Sequence, residues 1–283
     1  MISQECYELG SKSSIIREIF SFGLKRKAEV GEDKVYDFSL GNPSIPAPPS
    51  VKQAILELLE EPAENLHAYS PAPGDPKVRA VIAESLNRRF GETFTADNIF
   101  MTCGAAASLS ICLKALCNPG DEVITFAPFF TEYRCWVEAT GATLQVVPPR
   151  IPDFQIDTDV FEGMITSKTK AVIVNTPNNP SGVVYSEETV KRLGEILRRK
   201  SEEYGSPIYL ITDEPYREIV YDDIQVPYLT KYYENTLVCY SYSKSLSLPG
   251  ERIGYIVIPD RIADHAHVAP AIAGAARVLG YVC

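Results

Sequence analysis

Thr236-Leu-Val-Cys-Tyr-Ser-Tyr-Ser-Lys-Ser-Leu-Ser-Leu-Pro-Gly-Glu-Arg-Ile-Gly254 opens as an apolar run and breaks abruptly into hydroxyls, one lysine and one arginine. Its first six residues, 236 to 241, have the length and content of a strand buried on both faces. Three further runs share that character: Glu-Val-Ile-Thr-Phe at 122 to 126, Ala-Val-Ile-Val-Asn at 171 to 175, and Ile-Tyr-Leu-Ile-Thr-Asp at 208 to 213. Between them lie helical patterns near 50 to 60, 75 to 90, 105 to 117, 130 to 140, 158 to 165 and 186 to 204. Alternation of this kind predicts an α/β layered fold around a mainly parallel sheet. Ligands of such sheets gather beyond the carboxyl ends of the strands. Polar groups stand at those ends: Asn175 to Asn179, Asp213, and Ser241 to Lys244.

Upstream, residues 13 to 27 set Ile15, Ile16, Ile19, Phe20 and Leu24 among charges at near-helical spacing, which predicts an amphipathic helix. The Pro-rich passage at 42 to 49 then halts regular structure. It divides the chain into an N-terminal segment, 1 to 45, and a main domain, 46 to 283.

A chain of 283 residues, 45% hydrophobic and 23% charged, buries a large core. Its net charge of -10 argues against a nucleic-acid binder, because that affinity rests on clustered Lys and Arg. Seven cysteines, at 6, 103, 112, 117, 135, 239 and 283, show no C-x-x-C spacing and are odd in number, which points to a reducing cytosol. No basic and apolar leader opens the sequence, and no stretch approaches the roughly 20 apolar residues of a membrane span. Of three histidines, His265 and His267 diverge on a helix and His67 stands apart, so no metal site is expected.

The chemistry centres on Lys244. A lysine amine attacks a carbonyl only when its surroundings favour the neutral form, and positive charge such as that of Arg252 is expected to lower its pKa. A phosphate-carrying aldehyde cofactor accounts for the cluster: Lys244 forms the imine, while Ser241 and Arg252 clamp the phosphate. Thr102-Cys-Gly-Ala-Ala-Ala-Ser108 follows a strand-like 98 to 101 and opens a helix. The backbone N–H groups of Gly104, Ala105 and Ala106 there suit an anion, although small residues at a helix start also serve close packing. Asp213-Glu-Pro-Tyr216 puts an aspartate at a strand's end, where desolvation calls for a cationic partner such as a pyridinium nitrogen. In Asn175-Thr-Pro-Asn-Asn-Pro-Ser-Gly182, Asn178 or Asn179 serves either the turn or a cofactor. Phe129 or Phe130 stacks on a flat ring or joins the core, and Trp136, at a buried helical spacing from Tyr133, is read as core.

Taken in order, Gly41-Asn-Pro, Tyr69 to Gly74, Gly104-Ala, Asn179-Pro-Ser-Gly, Asp213-Glu-Pro-Tyr216 and Ser241-x-x-Lys244 with Arg252 resemble the pyridoxal 5′-phosphate (PLP)-dependent aminotransferases of class I/II, the aspartate-aminotransferase-like group of fold type I. The resemblance runs from about Phe38 to Cys283. It implies a large PLP-binding domain built on a mainly parallel seven-stranded sheet between helices, with an incomplete small domain that the N-terminal segment begins as an arm. It implies an amino-group transfer between an amino acid and a 2-oxo acid through an aldimine on Lys244. Asp213 then pairs with the ring nitrogen, and Tyr216 and Asn179 bond the phenolic oxygen, Asn179 also meeting substrate. Gly104, Ala105, Ala106, Ser241 and Arg252 hold the phosphate, Phe130 stacks on the ring, and Gly41 contacts the substrate carboxylate. Tyr69 reaches the neighbouring phosphate of a homodimer.

The same cofactor contacts also serve a lyase or decarboxylase, since fold does not fix function. Family members continue for about a hundred residues beyond the equivalent of Cys283. The resemblance therefore implies that this chain lacks the C-terminal part of the small domain and the arginine that grips the substrate's α-carboxylate. Residues 271 to 283, ending Val282-Cys283, read as a helix cut just past its end, as in a truncated product or a catalytically inert homologue.

Overall fold

The computed structural model describes residues 2 to 11 and 15 to 281. It divides into two compact units, Met1–Pro46 and Ala47–Cys283. The first holds α1 (Gln4–Ser11) and α2 (Ile15–Val30). Residues 13 and 14 of the helix expected at 13 to 27 lie outside the described residues, as do the side chains of Ile15 and Ile16 and the whole of Val282 and Cys283.

The second unit begins with α3 (Pro49–Leu59), α4 (Ala63–Leu66) and α5 (Pro76–Phe90), followed by β1 (Ile99–Thr102) and α6 (Ala105–Leu116). Next come β2 (Glu122–Phe126), α7 (Glu132–Glu138), β3 (Thr143–Val147), α8 (Thr158–Met164), β4 (Thr169–Asn175) and α9 (Glu187–Tyr204). The unit closes with β5 (Tyr209–Asp213), β6 (Thr236–Ser241), α10 (Tyr242–Ser245), β7 (Gly254–Val257) and α11 (His265–Leu279). Local chemistry sets the helix ends. Asp75 accepts from the N–H groups of Lys77 and Val78 ahead of Pro76, and left-handed Gly91 closes the same helix. Ser186 caps α9 through the Thr189 N–H, and Gly205 ends it.

One seven-stranded sheet runs in the order β1-β7-β6-β5-β4-β2-β3. Strands β2 to β6 are parallel, whereas β7 is antiparallel to both β6 and β1. Alternate residues feed different layers, as a strand's two-residue period requires. Ala171, Ile173, Tyr209 and Ile211 pack with α6, α7 and α11, while Val172, Val174, Ile208 and Leu210 pack with α8 and α9. A third cluster joins α5 to Tyr240, Tyr255 and Val257. Each fully buried Ile or Leu contributes about 1.5–3 kcal/mol, so a sheet covered on both faces is a rigid platform for whatever its edge carries. Among the described residues, no helix is long and apolar enough to cross a membrane.

Candidate active site

The register of the central strands brings the predicted polar groups level with one another. Asn175 pairs with Asp213, and Asp213 with Cys239, two residues before the end of β6. Asn175 Nδ2 donates to the Asp213 carbonyl at 2.7 Å, and Asn175 Oδ1 accepts from the Asn179 N–H at 2.6 Å. This places Asn179, whose Nδ2 donates to the Tyr216 hydroxyl at 3.2 Å. Asn178 instead serves the turn, accepting from both N–H and Oγ of Ser181. Of the two asparagines left open by sequence, Asn179 is the one that faces Tyr216.

Antiparallel β7 assembles a second corner. Thr102 pairs with Gly254 on one side and Ser241 pairs with it on the other, so the start of β7 lies at the carboxyl ends of β1 and β6. Two residues before Gly254 stands Arg252, held in the left-handed region at φ 53°. Strain of this kind in a non-glycine residue persists where the surroundings fix it, typically at functional sites. Its guanidinium donates to the carbonyls of Pro249 and Cys103, at 3.0 and 3.4 Å. It approaches Gly104 so closely that a Cβ there would lie 3.0 Å from the terminal nitrogen. Gly104, at φ 90°, is the N-cap of α6 and has no side-chain cap, so the first N–H groups of that helix face outward without intrahelical partners. Gly254 was not recognised from sequence. A Cβ on it would sit 2.5 Å from the Tyr240 carbonyl and 2.8 Å from Gly104 Cα, so the close approach of β7 to the α6 entrance requires glycine. Buried Ser241 ends β6, its Oγ bonded to Ser243 Oγ at 3.2 Å.

Asp213 is buried. Tyr133 on α7 donates its phenol to Oδ2 at 2.5 Å, while Oδ1 has no hydrogen-bond partner among the described residues. Burial pushes this carboxyl from 3.8 up to about 7; Tyr133 restrains the rise and the charge of Glu214 adds to it. Tyr216 is raised by burial and then by Asp213, so its phenol stays protonated at neutral pH. Lys244, half-buried on α10 directly after β6, has its pKa lowered by burial. The charge of Arg252, expected from sequence to supply that shift, is not its cause; desolvation is. Phe130 meets Tyr133 edge-on with ring centroids 5.8 Å apart, whereas Phe129 lies nearly parallel to it at 6.4 Å. Both are partly buried, as is Trp136. Tyr133, noted from sequence only for its spacing from Trp136, is thus a buried polar partner of Asp213. A lone aromatic at buried helical spacing gives no signal of where its hydroxyl goes.

Ala105 and Ala106 occupy the first turn of α6. Tyr69 is fully exposed, ahead of Gly74, whose backbone lies against Met101 of β1. Gly41 belongs to the N-terminal unit. Two shallow surface hollows, one lined by Arg198, Glu202 and Asn235 and the other by Glu187, Lys191 and Glu195, share no residue with this cluster. No group of three or more potential metal ligands occurs among the described residues.

The family model for aminotransferase class I and II matches residues 33–271. The chain belongs to that family. An amino transferase from Eubacterium rectale superposes with a TM-score of 0.97 at 57% identity, over 100% of this chain and 72% of that one. Aspartate aminotransferase from Thermotoga maritima is 30% identical over 253 residues, 88% of this chain. A probable aspartate aminotransferase from Methanocaldococcus jannaschii is 31% identical over 262 residues, 93% of this chain. The chain spans 64% of the length of each of these two relatives. Class I and II aminotransferases depend on PLP.

The site fits that cofactor on its own chemistry. A buried carboxylate oxygen without a partner suits a pyridinium N–H. An uncapped helix entrance beside an arginine suits a phosphate.

Proposed function

We propose that this aminotransferase-family chain binds PLP at the carboxyl edge of its sheet and, as part of the whole protein, moves an amino group between an amino acid and a 2-oxo acid. The observation that carries this reading is Asp213: a buried acid raised to about 7 with one oxygen unpartnered, set at the same sheet edge as an arginine-lined helix entrance. Bound PLP supplies an electron sink for the substrate's Cα, effective while its ring nitrogen is protonated.

The chain's residues do the rest. Asp213 Oδ1 accepts from the ring nitrogen and favours its protonated form. The N–H groups of Gly104, Ala105 and Ala106, the Ser241 hydroxyl and the Arg252 guanidinium hold the phosphate. Asn179 Nδ2 already donates to the Tyr216 oxygen, which leaves the phenol hydrogen available to the ring's own oxygen. Phe130 covers one ring face and excludes water. Lys244 Nζ, kept toward its neutral form by burial, would hold the cofactor at its aldehyde carbon, with the aldehyde oxygen leaving as water, and would serve as the base that moves the proton at the substrate's Cα. In the same reading Asn179 touches the substrate, residues 1 to 45 begin a small domain, and 46 to 283 form the cofactor domain. Exposed Tyr69 reaches the phosphate of a second copy, making a cytosolic homodimer.

Borohydride reduction after incubation with PLP, followed by peptide mass spectrometry, should find the pyridoxyl mass on Lys244. The same mass on another lysine, or an equal yield of modified protein from Lys244→Ala, overturns the assignment. Product analysis with a panel of amino acids and a 2-oxo acid acceptor should show a new amino acid. Release of ammonia without one would assign elimination instead.

A further inference from the structure

The two oxygens of Asp213 are treated differently by the fold. Oδ2 receives the Tyr133 phenol at 2.5 Å, and Oδ1 receives nothing from the described residues. A carboxylate at a strand end turns about its Cα–Cβ and Cβ–Cγ bonds unless something holds it. The donor that holds it comes from a different layer: Tyr133 sits on α7, only 1% exposed, with its ring set at 86° to Phe130 and 47° to Trp136. One side chain therefore joins the acid that faces the ring nitrogen to the aromatic that faces the ring plane.

We propose that Tyr133 is a positioning residue of this site: its O–H fixes Asp213 so that Oδ1 is the oxygen presented to the cofactor's ring nitrogen, while its ring fixes Phe130 edge-on. The inference rests on the PLP reading above. Truncation of the phenol leaves α7 packed but releases the carboxylate. The groups whose charge bears on this pair are Glu214 and Tyr216 beyond β5, and Cys239 on β6. Behind Cys239 stands Cys112 of α6, with its sulfur 3.8 Å away. Burial raises the Tyr133 phenol well above its usual range, so it remains a donor throughout the pH range in which Asp213 titrates.

The test is equilibrium binding to the apo chain of two probes, PLP and its analogue with the ring nitrogen replaced by C–H, across pH 5 to 9. Wild type should bind PLP with an affinity that falls on the acid side about a midpoint near 7. Removing the phenol removes an interaction that lowers the Asp213 pKa, so Tyr133→Phe should move that midpoint upward. It should also weaken PLP binding about tenfold at pH 7 while leaving the nitrogen-free analogue unaffected. Site-specific 3-fluorotyrosine at 133, nearly isosteric and a stronger donor, should move the midpoint downward, and it decides alone if Tyr133→Phe does not fold. An equal loss for both probes, or a midpoint that neither variant moves, overturns the positioning role. Failure of wild type to bind PLP overturns the proposed function instead.

Discussion

Asp213 and Glu214 are neighbours in the chain, both buried, and the fold treats them in opposite ways. Glu214 turns into a pocket that satisfies it: Thr212 Oγ1 donates to one oxygen at 2.7 Å and Arg217 to the other at 2.5–2.6 Å. That arginine in turn donates to the carbonyls of Val226 and Pro227 and lies over the rings of Phe90 and Tyr228. Asp213 turns the other way, toward α7, and is given one donor where two oxygens ask for partners. Glu214 is saturated by its fold, whereas Asp213, the acid proposed to meet the cofactor, is left incomplete at a cost that a donor would remove.

The sharpest way to break this contrast is Arg217→Ala. It leaves Glu214 buried without its cation and should cost about 3–5 kcal/mol in denaturant unfolding. A loss below about 1 kcal/mol would remove the distinction between the two pockets. The next effect has the opposite sign. The pKa of Asp213 is raised in the folded chain, so its contribution is favourable below the unfolded value of 3.8 and is lost as pH climbs through about 7. The total is on the order of 4 kcal/mol. Asp213→Asn should therefore be more stable than the wild-type apo chain at pH 8, with a flatter stability profile between pH 4 and 8. It should bind PLP about 10–100-fold more weakly. A variant no more stable than wild type at pH 8 would mean that the unpartnered oxygen carries no strain. The smallest effect separates the proposed phosphate corner from both acids. Gly254→Ala forces a Cβ against the Tyr240 carbonyl and Gly104 Cα and should cost about 1–3 kcal/mol, read as a lower melting temperature. Affinity for inorganic phosphate should fall with it, while the acid-side midpoint for PLP stays fixed.

Much of the second unit was legible because its signals are local. The apolar runs at 122, 171, 208 and 236 became β2, β4, β5 and β6, and the helical patterns became α3 and α5 to α9 within a few residues. Two strands escaped. β3 sits at the sheet edge, where Thr143 is exposed and Gln145 interrupts the apolar pattern, and β7 hides behind a Pro-Gly turn and a charged pair. Tyr133 escaped because a buried phenol and a buried phenyl leave the same periodic trace. Gly254 escaped because the atoms that exclude a side chain, the Tyr240 carbonyl and Gly104 Cα, are remote in the chain.

By itself the sequence determined which chemistry the chain carries: a lysine after a strand, an aspartate at a strand's end, an arginine and small residues suited to a phosphate. Composition and spacing suffice there, because strand ends and helix starts are set by neighbouring residues. Tertiary structure decided how those groups are tuned. Desolvation, not the charge of Arg252, lowers Lys244, and the reversed direction of β7 carries Arg252 to Gly104. Which oxygen of Asp213 is left open depends on a phenol 80 residues away in the sequence. Burial and long-range register are properties of the packed sheet, and no local pattern contains them.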